Sequence, residues 1–243
     1  MRIFALILAG MLMLLGCASA SSLLEENFAL LESLGFEIPE KVRTDISQSI
    51  DETLAAIPDE IRDQFGYSRD YFSDIPTILA WVGYGDFDYE TGNTTHYSDD
   101  LYAFDTEMYD VEGGYLELLY AVERLSGGAV EIENYEIEIG EDLFLRGEGE
   151  FPISFELNGQ ACEYTAKLQT DWMDCGIINY INRILKEQGF AESIWSMYDG
   201  GQGLVIFYND SDWARSFEAA TGCELVRGVE TYTVFDSILD LFF

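Results

Sequence analysis

A run of alternating carboxylates, Asp86-x-Asp88-x-Glu90, followed by Gly92, is the sharpest candidate for ligand chemistry in this sequence. Oxygen ligands at every second residue of a turning loop are the arrangement with which calcium loops surround a hard cation. The spacing departs from an EF-hand loop, because the glycine falls at the seventh position and Tyr97 stands at the twelfth, where a bidentate glutamate belongs. The run predicts a solvated acidic loop, which we prefer in so acidic a chain, or a calcium site formed by Asp86, Asp88 and Glu90.

The cysteines and the single histidine do not form a recognisable catalytic or metal motif. A thiolate nucleophile needs a neighbouring base, and nothing in the sequence places His96 beside Cys175. Besides Cys17, the chain has Cys162, Cys175 and Cys223, with no C-x-x-C spacing among them, which disfavours a zinc site. One disulfide and buried free thiols both remain open. The G-x-S-x-G, H-E-x-x-H and P-loop motifs are also absent from the sequence.

Two further patterns bear on enzyme chemistry. Asp199 to Gly203 contains three glycines, but it lies between two predicted strands, whereas a phosphate-binding glycine loop joins a strand to a helix. We therefore interpret it as a hairpin turn. Acid pairs that could serve a glycosidase are too numerous for one pair to be singled out, so a carboxylate-dependent envelope hydrolase stays as an alternative function.

The first residues read as an export signal. Arg2 is followed by an uncharged apolar run, residues 3–15, which is shorter than the roughly 20 residues of a membrane span. The run ends in Leu14-Leu15-Gly16-Cys17, which resembles the lipobox of bacterial lipoprotein precursors. The resemblance implies cleavage before Cys17 and a lipid on its sulfur, so that the protein is anchored to the outer face of a cell membrane. The alternative is cleavage after Ala20 in Ala18-Ser19-Ala20, which would release a secreted protein.

The charge of the chain restricts its partners. Loss of residues 1–16 removes Arg2 and leaves 11 basic residues against 46 acidic ones, a net charge of −35. Such a field repels phosphate backbones, so nucleic acid is not an expected partner. It attracts cations and cationic peptides or proteins, although acidity can also serve solubility alone.

The periodicity of apolar residues predicts helices first and strands later. After a short tether, residues 17–22, a mainly helical region covers residues 23–128, with one apolar stripe through Val42, Ile46 and Ile50. An α+β region with an antiparallel sheet covers residues 129–243, and the two regions can form one domain. The predicted fold class is therefore α+β, with a helical N-terminal part followed by an antiparallel sheet that has helices packed on one face.

The Asn158-Gly159 pair is the strongest hairpin signal in the chain. A two-residue turn pairs Leu157 with Gln160 and Phe155 with Cys162, and it puts the apolar residues of both strands on one face. A change of phase at Asn134, in the segment before this hairpin, predicts a bulge or a turn.

Taken together, these features favour a non-enzymatic binding or interaction module, of the kind in which an immunity or inhibitor protein meets a basic partner with its acids. A calcium-stabilised structural protein is a further alternative. The stretch from Asp171 to Gly203 resembles segments of exported bacterial proteins that have no described activity.

Overall fold

The computed structural model of the chain describes residues 22–88, 93–108 and 110–230. The first part folds into helices that each bury one stripe of apolar residues, as their periodicity predicts. They are α1 (Leu23–Ser33), α2 (Glu40–Ala56), α3 (Asp59–Phe65), a 3-10 turn (Tyr71–Ser73) and α4 (Ile75–Tyr84). Ser22 caps α1 by accepting a hydrogen bond from Glu25 N–H at 3.4 Å, a role that serine commonly has just before a helix.

The rest of the described chain alternates strands with helices. In order, the elements are β1 (Asp86–Asp88), β2 (Asn93–Thr95), β3 (Tyr102–Asp105), α5 (Val111–Leu125), β4 (Ile132–Ile137), α6 (Glu141–Arg146), β5 (Glu148–Leu157), β6 (Gln160–Gln169), α7 (Gly176–Glu187), β7 (Ser193–Tyr198), β8 (Gly203–Asn209), α8 (Ser211–Thr221) and β9 (Val226–Arg227). All pairings among these strands are antiparallel. The predicted α+β fold class, with its helical N-terminal part, is confirmed.

The strands divide between two main sheets, a division that the sequence did not indicate. One sheet has the order β3-β8-β7-β9 and the other the order β4-β5-β6, while β1 and β2 form a separate hairpin. Because β3 is hydrogen bonded to β8, a strand that precedes residue 128 completes a sheet whose other strands follow it. The α6 helix was also not predicted.

The four-stranded sheet is covered on both faces. Along β8, Leu204 and Ile206 join a core with α5, α7 and the three-stranded sheet, whereas Val205 and Phe207 join a core with α1, α2, α4 and α8. This alternation follows from the two-residue repeat of a strand. It explains why β8 reads as a continuous apolar run, since a strand buried on both faces needs no polar side.

The three-stranded sheet buries only one face. Phe151, Ile153, Phe155 and Leu157 of β5 turn inward against α5 and α7, and the residues between them face outward. The predicted register is confirmed, with Leu157 opposite Gln160 and Phe155 opposite Cys162. The turn residues Asn158 and Gly159 have φ values of 51° and 75°, as a type I′ turn requires.

We expect Gly159→Val to destabilise the protein by about 1–3 kcal/mol, because it forces a β-branched residue to positive φ. Gly140→Val is the matched control, since Gly140 has φ −57° and a Cβ atom added there would meet no atom within 4 Å. Urea unfolding of the two variants provides the measurement. If both variants lose the same stability, the turn does not depend on its glycine.

Candidate functional site

Helix α5 places one stripe of side chains beside β4. Asp110 caps the helix by accepting a hydrogen bond from Gly113 N–H at 3.0 Å, which sets where the helix begins. Glu112, Leu116 and Tyr120 then follow at intervals of four residues and lie on one side of the helix. None of the three is fully buried, because the core-facing side of α5 is formed by other residues, such as Tyr115, Leu118 and Val122.

Strand β4 meets this stripe through its outer edge. The Tyr120 and Tyr135 hydroxyls are 2.6 Å apart, and their rings pack edge to face with centroids 5.8 Å apart. About two turns earlier on the helix, the Glu112 carboxylate accepts a hydrogen bond from Ile139 N–H, just beyond the end of β4. The predicted irregularity of this strand is confirmed, since its pairing with β5 shifts between Glu133 and Glu136 and Asn134 has φ 51°.

Beside these two contacts lies an open groove in two adjoining parts, of about 530 Å³ and 410 Å³, which share Asp110 and Glu112. The apolar lining comes from both elements and from the segment that follows β4, and its residues are Val111, Leu116, Ile137, Ile139 and Phe144. The carboxylates that line it are Asp110, Glu112, Glu136 and Glu138, and no lysine or arginine lines either part of this described groove. We call this feature the acidic groove.

Exposed apolar residues extend the acidic groove onto α6. Phe144 is 60% exposed and Leu145 is 76% exposed, which are the largest exposures among the described large apolar residues. They lie in a stretch, residues 131–150, that has eight carboxylates and one arginine. Every one of those carboxylates is exposed. An apolar patch with a charged rim is the common form of a protein interaction surface.

A second hollow, of about 610 Å³, lies along α1 and α2, and Arg43 is among the residues that line it. Arg43 pairs with Glu32 and lies over the Phe28 ring, 4.8 Å from its centroid. Arg69 pairs with Asp51. Among the described residues, no aromatic side chain lines this hollow. We therefore prefer the acidic groove as the candidate site.

His96 lies in a third hollow, of about 340 Å³, with Glu37, Tyr97, Ser98, Asp99 and Asp100. Burial lowers the pKa of His96, the nearby Arg124 guanidinium lowers it further, and Asp99 acts in the opposite direction. Its Nδ1 atom is buried and has no hydrogen-bond partner among the described residues. Burial also raises the pKa of Asp100, and the charges of Glu37 and Asp99 contribute to that shift.

The lowered pKa of His96 predicts a pH dependence of stability. Below an ordinary pKa of about 6.5 the unfolded chain binds a proton at His96 that the folded chain does not bind. The contribution of His96 to the free energy of unfolding is therefore full above that pH, and it falls as the pH is lowered toward the folded pKa. When the pH is lowered from about 7.5 to about 5.5, we expect the free energy of unfolding of the wild type to fall relative to that of His96→Gln. Parallel pH profiles of unfolding for the two proteins would contradict this.

Asp174 and Cys175 lie in a polar network at the start of α7. The Asp174 carboxylate accepts hydrogen bonds from the Tyr164 hydroxyl at 2.9 Å and from Gly176 N–H at 3.0 Å, and Asp174 N–H donates to the Tyr115 hydroxyl at 2.8 Å. Burial and the neighbouring Asp174 charge raise the pKa of Cys175 to about 12. The thiol is therefore protonated at neutral pH, which fits a buried free thiol and not a nucleophile.

The other residues singled out by the sequence lie elsewhere. Cys17 and Glu90 lie outside the described residues, as do the side chains of Asp86 and Asp88, whose backbone forms β1. The lipid site and the calcium site both stay predictions. Over residues 22–88, 93–108 and 110–230, no group of three or more His, Cys, Asp or Glu side chains is arranged to hold a metal ion. The same residues contain no helix that is long and apolar enough to cross a membrane, and Cys162, Cys175 and Cys223 are free thiols.

The Asp199 to Gly203 run forms the turn between β7 and β8. Asp199 accepts hydrogen bonds from Gly201 N–H at 2.8 Å and from Gly203 N–H at 3.1 Å. The carboxylate thus organises the turn, and the interpretation as a hairpin is confirmed.

The acidic groove was not predicted from the sequence. The alternation of glutamates with apolar residues near 131–139 was visible, but it indicated only a strand with one polar face. Comparison of the chain with known protein families, curated proteins and solved structures gives no match.

Proposed function

We propose that this protein is a non-enzymatic binding module, anchored by a lipid on Cys17 at the outer face of a membrane, which binds a cationic peptide or protein segment in the acidic groove. The observation that carries the binding role is the composition of the groove. It has four carboxylates, an apolar lining and exposed Phe144, and none of the described lysines or arginines lines it.

Electrostatics supports a cationic partner over other partners. Carboxylates that already have arginine partners, as along α1 and α2, offer little new attraction to a ligand. The four carboxylates of the acidic groove line one continuous surface, so a lysine or arginine placed there is attracted by several of them at once. The apolar lining adds binding energy that salt does not screen, because burial of apolar surface is independent of charge.

The function is tested by the binding of a fluorescent peptide that contains both lysine and isoleucine, with fluorescence anisotropy as the measurement. We expect Glu112→Gln/Glu136→Gln/Glu138→Gln to weaken binding about tenfold or more, since each exposed ion pair contributes roughly 0.2–1 kcal/mol and the three act together. Glutamine keeps the shape of the side chain and can still accept the hydrogen bond from Ile139 N–H.

Glu40→Gln/Glu52→Gln/Glu60→Gln is the charge-matched control, because these exposed residues lie on α2 and α3, away from the groove. We expect it to change the affinity less than about threefold, through the long-range field alone. Equal losses in the two triple variants would mean that net charge, not the groove, attracts the peptide. No binding to the wild type would refute the proposed partner.

One observation favours the alternative of a carboxylate-dependent hydrolase. The raised pKa of Asp100, in the hollow that holds His96, is the kind of shift that a general acid needs. Hydrolysis of an envelope glycan by the wild type, with its loss in Asp100→Asn, would favour this role over the binding role.

A further inference from the structure

Strand β4 is the outer strand of its sheet, and its pairing determines which backbone groups face away from β5. Among the described strands only β5 pairs with it. Asn158 N–H donates a hydrogen bond of 2.9 Å to Glu131 C=O, so the backbone groups of Glu131 face β5. Hydrogen-bonded and non-hydrogen-bonded pairs alternate along an antiparallel ladder, and the next pair, Ile132 with Leu157, is therefore non-hydrogen-bonded. Beyond the bulge, Glu136 therefore directs its backbone groups to β5.

The next residue, Ile137, consequently turns its N–H and C=O away from β5. Two observations locate the acidic groove on this side of the strand. The N–H of Ile139, two residues further on and of the same phase, is held by Glu112 across the groove, and four consecutive residues, 135–138, line the groove. The outer edge of β4 therefore lines the acidic groove.

The pairing of β4 with β5 ends at this point for a reason in the sequence. Ile137 is opposite Ile153, the last pair of the ladder. The next residue of β5 is Pro152, which has no N–H to offer to a neighbouring strand. The edge from Tyr135 to Ile139 is therefore short, with a bulge on one side and the end of the ladder on the other.

From this arrangement we infer that the partner segment binds in an extended conformation, as a short strand added to β4 in the acidic groove. The inference rests on the proposed function and specifies the chemistry of its partner. Side chains of an added strand alternate between the two faces of the sheet. Those on the inner face lie beside Ile137, Leu116 and Phe144, and those on the outer face lie beside Glu136 and Glu138.

The fitting partner is therefore a segment in which basic residues alternate with apolar ones. A segment with only basic residues leaves the apolar lining of the groove uncovered. An apolar segment without charges leaves the glutamates unpaired. The apolar lining favours only apolar residues and the glutamates favour only basic ones. The site as a whole therefore favours a segment in which the two classes alternate.

Backbone methylation of the probe tests this inference. The probe is a peptide of about eight residues in which lysine alternates with isoleucine, and two analogues carry N-methyl groups either on all lysines or on all isoleucines. In an added strand, alternate residues direct their N–H groups to β4, so only one analogue loses these bonds. We expect one analogue to bind the wild-type protein at least about tenfold more weakly than the probe and the other to stay within about threefold.

The outcomes separate the two proposals. Equal affinities of the two analogues, whether both retain binding or both lose it, would overturn strand addition and leave the binding of a cationic partner standing. Failure of the unmethylated probe to bind would overturn the proposed function itself. As a second arm, Phe144→Ser is expected to weaken the probe but not a peptide of lysine alone, and an equal effect on both peptides would contradict the alternating pattern.

Discussion

Cys17→Ala is expected to move the protein from the membrane fraction to the soluble fraction of a bacterial host almost completely. The sulfur of Cys17 is the atom that a lipobox-type signal modifies, so the variant cannot carry the proposed lipid. Incorporation of a labelled fatty acid is expected in the wild type and not in the variant. The measurement is the distribution of the protein between membrane pellet and supernatant, together with the fatty acid label.

Cys223→Ala serves as the control, because it removes a thiol from the folded part of the chain and leaves the signal intact. Its distribution should match that of the wild type. If the wild type is itself unlabelled and soluble, and its N-terminus lies after Ala20, the signal is an ordinary secretory one. The protein is then released, and the proposed binding in the acidic groove does not depend on a membrane anchor.

Phe207→Ala is expected to destabilise the protein by about 3–5 kcal/mol, the usual cost of a large cavity in a packed core. Phe207 is 1% exposed and lies on the central strand β8. Its ring packs against Phe36, Trp213 and Phe217, with centroids 6.0, 5.4 and 5.5 Å away. A loss of this size is a large share of the roughly 5–15 kcal/mol that stabilises a typical domain. Denaturant unfolding followed by far-UV circular dichroism measures it.

Phe144→Ala is the matched control, since the same truncation at a side chain that is 60% exposed leaves no cavity. We expect it to change the free energy of unfolding by less than about 0.5 kcal/mol. A small effect at Phe207 would mean that the N-terminal helices contribute little to the packing of the four-stranded sheet. That result would contradict the arrangement of two cores around β8.

Much of the fold could be predicted because the signals are local. A helix N-cap such as Ser22 and a turn such as Asn158-Gly159 depend on a few neighbouring residues. The register of β5 and β6 follows from the turn length alone, and the structure confirms it. The phase change at Asn134 is similarly local, because one extra residue in a strand moves every later side chain to the other face.

The division into two sheets and the acidic groove could not be predicted, because both depend on contacts between distant parts of the chain. The pairing of β3 with β8 joins residues about 100 positions apart, and periodicity contains no information on which strand pairs with which. Glu112 and Ile139 meet only when α5 packs beside β4. The exposure of Phe144 could not be predicted, since a phenylalanine in a short apolar run is ordinarily expected to be buried in the core.

The binding of a cationic segment in the acidic groove is tested most directly by amide chemical shift changes on titration with the alternating lysine and isoleucine peptide. The changes that saturate should be centred on residues 110–116, 135–139 and 143–145, and they should be absent from α1 and α2. They should weaken in Glu112→Gln/Glu136→Gln/Glu138→Gln. Changes spread evenly over the acidic surface, or centred on the hollow along α1 and α2, would contradict the groove as the binding site.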